Sequence, residues 1–396
     1  MSLHCFEMFV KEQIKAKKLS NSVDSPVNYA TNNDAPGFQK ATTHRNGIHA
    51  KIFTWLVIIS YKIDYFNVNG EMSMITSTRQ VRSGIKFSDV IGGRSTPAWI
   101  TLALLLIWAG ITIPGFLLPE RLLALGQQVT PLLLVALGQT LVVLVSGLDI
   151  SVGAVLTLSL VLASGIMQGR AELVLPGIVI CLLAGAFVGL LNGLLIVGLR
   201  LPPLIATIGM MSVMQGVAWV YTHGAPGGSI PSSLRFVANG RLGILPVSDI
   251  VFAIAVVFMI LLLRQTVFGK QLYAVGANQR AAYLAGIPVK RVIICAYVLS
   301  AGLAAAGGLV LSGYVGVGTL DAGGPYVLNS IAAVIIGGTK FTGGDGGVVG
   351  TVVSVAILAV LTGILIQLGI PVTLRSVLLS VIVVAAAVLQ SRKTGG

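Results

Sequence analysis

Apolar runs of bilayer length, divided by short polar connections, fill most of this chain. Crossing hydrocarbon takes about 20 apolar residues per helix. Residues 98–118, 126–146, 152–169, 173–199, 203–221, 249–263, 292–313, 327–339, 347–368 and 374–390 approach or meet that length. The pattern predicts an all-α, polytopic membrane protein with about ten transmembrane helices. The 249–263 and 327–339 runs are short, so each either extends into its flank or is a broken span.

One interruption stands out. Gly147-Leu148-Asp149-Ile150-Ser151-Val152-Gly153 places an acidic residue between two runs rich in Leu and Val. A charge among such segments is expensive and marks a transport path or a helix break. Asp149 in front of Ser151 also suits capping of the helix that follows, where the N-terminal dipole favours a carboxylate. The stretch 344–363 repeats the theme, running from a Gly/Asp break at Asp345 into a Val-rich span, although aligning Asp149 with Asp345 needs a gap. Internal repeats of this kind are common in transporters.

Composition supports the membrane reading. The chain is 55% hydrophobic and only 10% charged, with a mean hydropathy of +0.92. Residues 1–96 hold 12 of the 26 Lys and Arg and 7 of the 13 Asp and Glu. Residues 1–91 read as a separate N-terminal tail. They carry seven of the eleven Asn and three of the four His, and their apolar run at 52–61 is too short to span a bilayer. Two explanations stand side by side: a disordered cytoplasmic tail, or a true start at Met72 or Met74. Residues 92–396 form the predicted transmembrane permease domain.

Orientation follows from the basic residues. With the N-terminus inside, 13 Lys and Arg from residue 79 onward fall on the cytoplasmic side and 5 outside. That split predicts cytoplasmic placement of both termini. It also explains the net charge of +13 without a nucleic-acid partner, since no basic–aromatic module accompanies it. Of the 48 Gly, 44 follow residue 91, several in small-residue stripes such as Gly185–Gly189–Gly193 that allow close helix approach. The Gly-Gly runs with Lys340 and Asp345 predict a tight turn at a span boundary. Cys5, Cys181 and Cys295 are scattered thiols, read as packing residues.

Between the 249–263 and 292–313 spans, local signals predict a short helix. Asn278 is a good N-cap, residues 279–285 are strong helix formers, Gly286 suits C′ and Pro288 forbids continuation. Its small residues Ala281, Ala282 and Ala285, flanked by Arg280 and Tyr283, suit docking into a groove.

A family resemblance runs through these residues. It is carried by 147–153, Asn192-Gly193-Leu194-Leu195, Pro203-Leu204-Ile205-Ala206-Thr207-Ile208-Gly209 and Tyr273-Ala274-Val275-Gly276-Ala277-Asn278. It continues through Ala281-Ala282, Ala285-Gly286-Ile287 and Ile331-Ala332-Ala333-Val334-Ile335-Ile336-Gly337-Gly338, covering roughly 95–393 in order. The chain resembles the inner-membrane permease subunits of bacterial ABC importers for ribose, xylose, arabinose, galactose and autoinducer-2. The resemblance implies a permease that pairs with a second copy or paralogue as a dimer. It implies that 278–286, with Asn278, Arg280, Ala281, Ala282, Ala285 and Gly286, touches a cytoplasmic ABC ATPase, and that a periplasmic solute-binding protein delivers the sugar. The chain departs from the family in having Val327-Leu328-Asn329 where members often show Glu-Leu-Asp. It also has Lys340 and Ala154 where they often carry Ser.

Polar groups inside spans either satisfy helices or face the route. The candidates for the translocation path or its gating are Gln139, Asp149, Ser151, Asn192, Thr207, Gln215 and Asn329, whose donors and acceptors suit hydroxyl-rich solutes. Asp149 is expected to act in structure or gating before ligand contact. The lone His223 sits in the Gly-, Pro- and Ser-rich outer connection 222–246, the longest external one, and reads as a surface residue.

No metal cluster, catalytic constellation or cofactor motif appears in the sequence. Gly337-Gly338-Thr339-Lys340-Phe341 lacks the spacing of a phosphate-binding loop and the Ser or Thr after its Lys. ATP would therefore be hydrolysed on a partner subunit. An ion-coupled secondary transporter remains a competitor, but it needs a titratable relay. The spans offer only Asp149, with Glu172, Asp249, Asp321 and Asp345 at their edges. An ABC permease for branched-chain amino acids or nucleosides stays open as well.

Overall fold

The computed structural model describes residues 96–371 together with 374, 375, 377–379 and 381. The N-terminal tail and most of the 374–390 run therefore lie outside the described residues.

The helices follow the hydropathy pattern. In chain order they are α1 (Thr96–Thr112), α2 (Pro119–Leu144), α3 (Val152–Met167), α4 (Val174–Gly198) behind the 3-10 turn Ala171–Leu173, and α5 (Pro203–Thr222). Then come α6 (Ser232–Asn239), the hairpin β1 (Arg241–Leu242) and β2 (Leu245–Pro246), α7 (Val247–Gln265), α8 (Val267–Ala277) and α9 (Gln279–Leu284). The chain continues through α10 (Val289–Val315), α11 (Gly324–Ile336) and α12 (Val348–Gln367). Among the described residues, six helices are long and apolar enough to cross a membrane: α2, α4 with its leading turn, α5, α7, α10 and α12; α1, α3 and α11 are shorter apolar helices. The short 249–263 run extends into both flanks as α7. The 327–339 run instead becomes the 13-residue α11, roughly 20 Å long and too short to cross alone.

α10 is the axis of the bundle, packed on α4, α2 and α3, while α12 lies against α2, α1 and α11. The α4–α10 contact uses the glycine stripe: a methyl at Gly185 would stand 2.8 Å from the Ala301 carbonyl, and one at Gly193 would stand 2.9 Å from Ile294 Cα. The two backbones therefore touch directly, as small residues permit where lipid removes the hydrophobic drive between helices. Cys181 is buried beside this contact, whereas Cys295 is exposed, so the packing reading holds for only one of the two described thiols.

Pro131 sits inside α2 and cannot donate to the carbonyl four residues back, that of Gln127. The Tyr314 hydroxyl donates to that carbonyl instead. Within a membrane such a replacement is what keeps an interrupted helix viable.

The connections gather at two ends. At one end, Gly169 N–H donates to Ser229 O at 3.0 Å and Ile230 N–H donates to Gly316 O at 3.1 Å. The 222–246 connection belongs here, and it is more ordered than its Gly, Pro and Ser content predicts. α6 buries Leu234 and Ala238, a pair spaced i, i+4, against α10. His223 closes α5 in the left-handed conformation (φ 54) and is exposed. At the opposite end, Gly344 N–H donates to Leu144 O at 2.9 Å, joining the α2–α3 break to the α11–α12 turn.

Candidate functional site: a buried helix break beside a capped surface helix

α2 ends where Ser146 takes a positive φ of 62 and the chain turns toward α3. Asp149 then lies fully buried. Its Oδ1 accepts from the Ser151 N–H at 2.9 Å and from the Ser151 hydroxyl at 2.6 Å. This is a local turn of the kind Asp favours. The capping expected of Asp149 takes a modified form: its bonds go to Ser151, the N-cap residue itself, and α3 has no side-chain cap on its own first amides.

Four helices close around this turn. From α4, Asn192 Nδ2 donates to Ser151 Oγ at 2.8 Å. From α5, the Thr207 hydroxyl donates back to Pro203 O at 3.0 Å with the Leu148 carbonyl as an alternative acceptor at 3.4 Å, and from α10 the Tyr297 hydroxyl reaches the same Leu148 carbonyl at 3.4 Å. From α2, the Gln139 amide pairs with the Asp149 peptide when its nitrogen faces Asp149 O (3.1 Å) and its oxygen faces Asp149 N (3.3 Å). The broken backbone thus finds its partners in side chains instead of water, as a non-helical segment at membrane depth must. Asp149 Oδ2 and Asn192 Oδ1 are buried without a hydrogen-bond partner.

Of the sequence-selected path residues, Gln139, Asp149, Ser151, Asn192 and Thr207 form this knot, and all five are fully buried. In this conformation they build a packed interior element. Gln215 is exposed on α5 and Asn329 is half-buried on α11, both outside the knot. Tyr297 is the member that sequence reading missed. Its signal was present: a phenol deep within a span rich in small residues needs a partner for its hydroxyl.

Val327 packs with Ile331 and Ile335 against Leu148 and Ile150. The Asp149 turn thus meets α11 through an apolar contact.

The 278–286 segment forms as its caps predict. Asn278 Oδ1 accepts from Ala281 N–H at 3.0 Å. At the other end Ile287 N–H donates to Ala282 O and Gly286 N–H to Tyr283 O, both at 3.0 Å, with Gly286 at φ 81. That pair of bonds is a Schellman closure. One expectation is corrected: Ala282 points inward at 4% exposure and joins the main core cluster, because a one-and-a-half-turn helix lying on a protein must bury one face. Ala281 and Ala285 are exposed, and so is Arg280. The outer face is dominated by Tyr283 at 71% and Leu284 at 78% exposure.

Lys340 and Asp345 form the expected turn, with Nζ–Oδ2 at 3.6 Å and Lys340 N–H donating to Asp345 O at 3.0 Å. Among the described residues no group of three or more His, Cys, Asp or Glu side chains could hold a metal ion.

Comparison with known proteins gives this architecture its relatives. The chain is 38% identical over 299 residues to the ribose import permease protein RbsC of Bacillus subtilis, covering 75% of this chain and 92% of that protein. It is 32% identical to the ribose import permease protein RbsC of Escherichia coli K12, covering 77% of this chain and 99% of the relative. To the L-arabinose ABC transporter permease protein AraH of Azospirillum brasilense it is 33% identical, over 69% of this chain and 80% of that one. No solved structure matches the chain. Residues 122–387 match the family described as branched-chain amino acid transport system / permease component, and the chain, a multi-pass helical membrane protein, belongs to that family.

Proposed function

We propose that this chain is the permease subunit of an ATP-binding-cassette importer for a sugar or a similar small polar solute. The observation that carries the reading is the extent of the sugar-permease similarity, which spans nearly the whole length of the ribose permeases. The double-capped α9 at the end where both helix breaks meet supports it from the chain's own geometry. In this reading the protein sits in a bacterial inner membrane with both termini in the cytoplasm, and residues 92–396 form the permease domain. A periplasmic solute-binding protein delivers the solute, and a second permease copy or paralogue completes the path. A cytoplasmic ATPase subunit performs all ATP hydrolysis, and the chain itself holds no cofactor.

The chemistry is passive and the mechanics active. Closure of paired ATPases on ATP pushes on α9, where Arg280, Ala281, Tyr283, Leu284 and Ala285 form the contact, and Asn278 and Gly286 hold the helix in shape. The bundle then rocks between outward- and inward-open states. Gln215 and Asn329 remain the proposed path contacts, while the Asp149 knot acts in gating. A sugar is favoured over a branched-chain amino acid because the ribose, arabinose, fructose and galactose relatives are all sugar permeases by name.

The test is a mild-detergent pull-down of the tagged permease with Leu284→Arg as the variant. Ala282 is unsuitable, since a charge there strikes the core. An ATPase subunit retained by the wild type and lost from a folded Leu284→Arg protein supports the reading. Recovery of the permease alone contradicts it.

A further inference from the structure

Leu144, Ser146, Gly276, Ala277 and residues 342–344 meet backbone to backbone beside α9. Gly344 N–H donates to Leu144 O at 2.9 Å. The Ser146 hydroxyl donates to Thr342 O at 2.6 Å, with Gly276 O as its alternative acceptor at 3.3 Å. No side chain fits between the three segments. A methyl at Gly276 would overlap the Leu144 carbonyl oxygen, one at Gly343 would overlap Ser146 Oγ, and one at Gly344 would stand 2.5 Å from Ala277 N. Tyr273 braces the same turn, its hydroxyl donating to Gly346 O at 3.0 Å.

Chain connectivity gives the contact its meaning. Ala277 directly precedes Asn278, the N-cap of α9, and Ser146 directly precedes Gly147, where the Asp149 turn begins. At Gly147 a methyl would stand 2.5 Å from the Tyr297 hydroxyl, so this step too is tightly packed. A displacement of α9 reaches the knot through backbone contacts and the short Ser146 hydroxyl, without a long flexible side chain to absorb it. Ser146 holds φ 62, in the left-handed region that L-residues rarely adopt. Glycine would suit that backbone better, but only serine adds the hydroxyl that ties the break to its two neighbours.

We propose that Ser146 is a positioning residue for transport: with Gly276 and Gly344 it forms a rigid joint that transmits movement of α9 into the 147–151 segment. The proposal rests on the reading of α9 as the ATPase contact.

Hydrogen exchange of the intact transporter, permease with its bound ATPase, tests it without knowledge of the solute. Nucleotide-free protein is compared with protein trapped by ATP and vanadate. In the wild type, nucleotide is expected to change exchange in peptides covering both 278–287 and 144–152. In Ser146→Gly, which keeps the positive φ and removes only the hydroxyl, the response at 278–287 should persist and that at 144–152 should be lost. Gly276→Ala, which forces the joint apart, should give the same separation. A response at 144–152 that survives in both variants overturns the joint alone. No response at 278–287 in the wild type overturns the ATPase contact, and the joint with it.

Discussion

Between α2 and α3 the chain runs through residues 145–151 with Ser146 exposed and the rest buried or half-buried, and between α11 and α12 it runs through 337–347 with Phe341 and Thr342 at the surface. Both segments combine Gly with a single Asp and lead into a Val-rich helix. Asp149 draws its partners from Ser151, with Gln139, Asn192, Thr207 and Tyr297 closing around the turn. Asp345 faces Lys340 at 3.6 Å, and its turn is held by its own backbone and by left-handed glycines at 343 and 344. Similar sequence thus gives one break closed by side chains from four helices and one built on a local turn that Tyr273 and the end of α2 brace. The Ser146–Gly276–Gly344 joint connects them.

The contrast should be largest at Asp149. Asp149→Ala removes the acceptor of two bonds and leaves the Ser151 amide unpaired in the interior, a loss of about 3 kcal/mol. Thermal unfolding of the purified permease should show it as a clear fall in Tm, and solute uptake should drop while the ATPase still copurifies. Unchanged uptake and stability would mean that the knot is dispensable.

An intermediate effect is expected at Gly286. The site is open, with nothing within 4 Å of an added Cβ, so Gly286→Leu meets no clash and suffers only the cost of φ 81, about 1–2 kcal/mol confined to the end of α9. Uptake per ATP hydrolysed should fall with little change in global Tm. Wild-type ATP-driven uptake in this variant would remove α9's C-cap from the mechanism.

The smallest effect belongs to Lys340→Ala. The pair is 33% and 37% exposed, so its removal should cost no more than about 1 kcal/mol, and less at high salt. A loss as large as that of Asp149→Ala would erase the distinction between the two breaks.

How much of this was legible in the sequence depends on the range of the interactions. The apolar helices up to 347–368 follow from hydropathy, and α9 follows from Asn278, Gly286 and Pro288, because capping is settled within a few residues. The inward turn of Ala282 was not legible: three alanines of similar chemistry do not reveal which one meets the core until the helix is laid on the bundle. α6 was hidden in a polar connection, its only signal being Leu234 and Ala238. The knot resisted prediction most, because its members come from four helices and Tyr297 meets Leu148 across 149 positions of sequence. Polar residues inside spans were recognisable, but whether they face a path or each other is decided by packing alone.

The central claim, that ATP on a partner subunit drives this permease, is tested most directly in proteoliposomes. The permease with its ATPase would be reconstituted, the binding protein and radiolabelled ribose added outside, and uptake followed with and without ATP in the lumen. The account predicts uptake that requires luminal ATP and survives collapse of proton and sodium gradients. Uptake that proceeds without ATP and disappears with an ion gradient would contradict it.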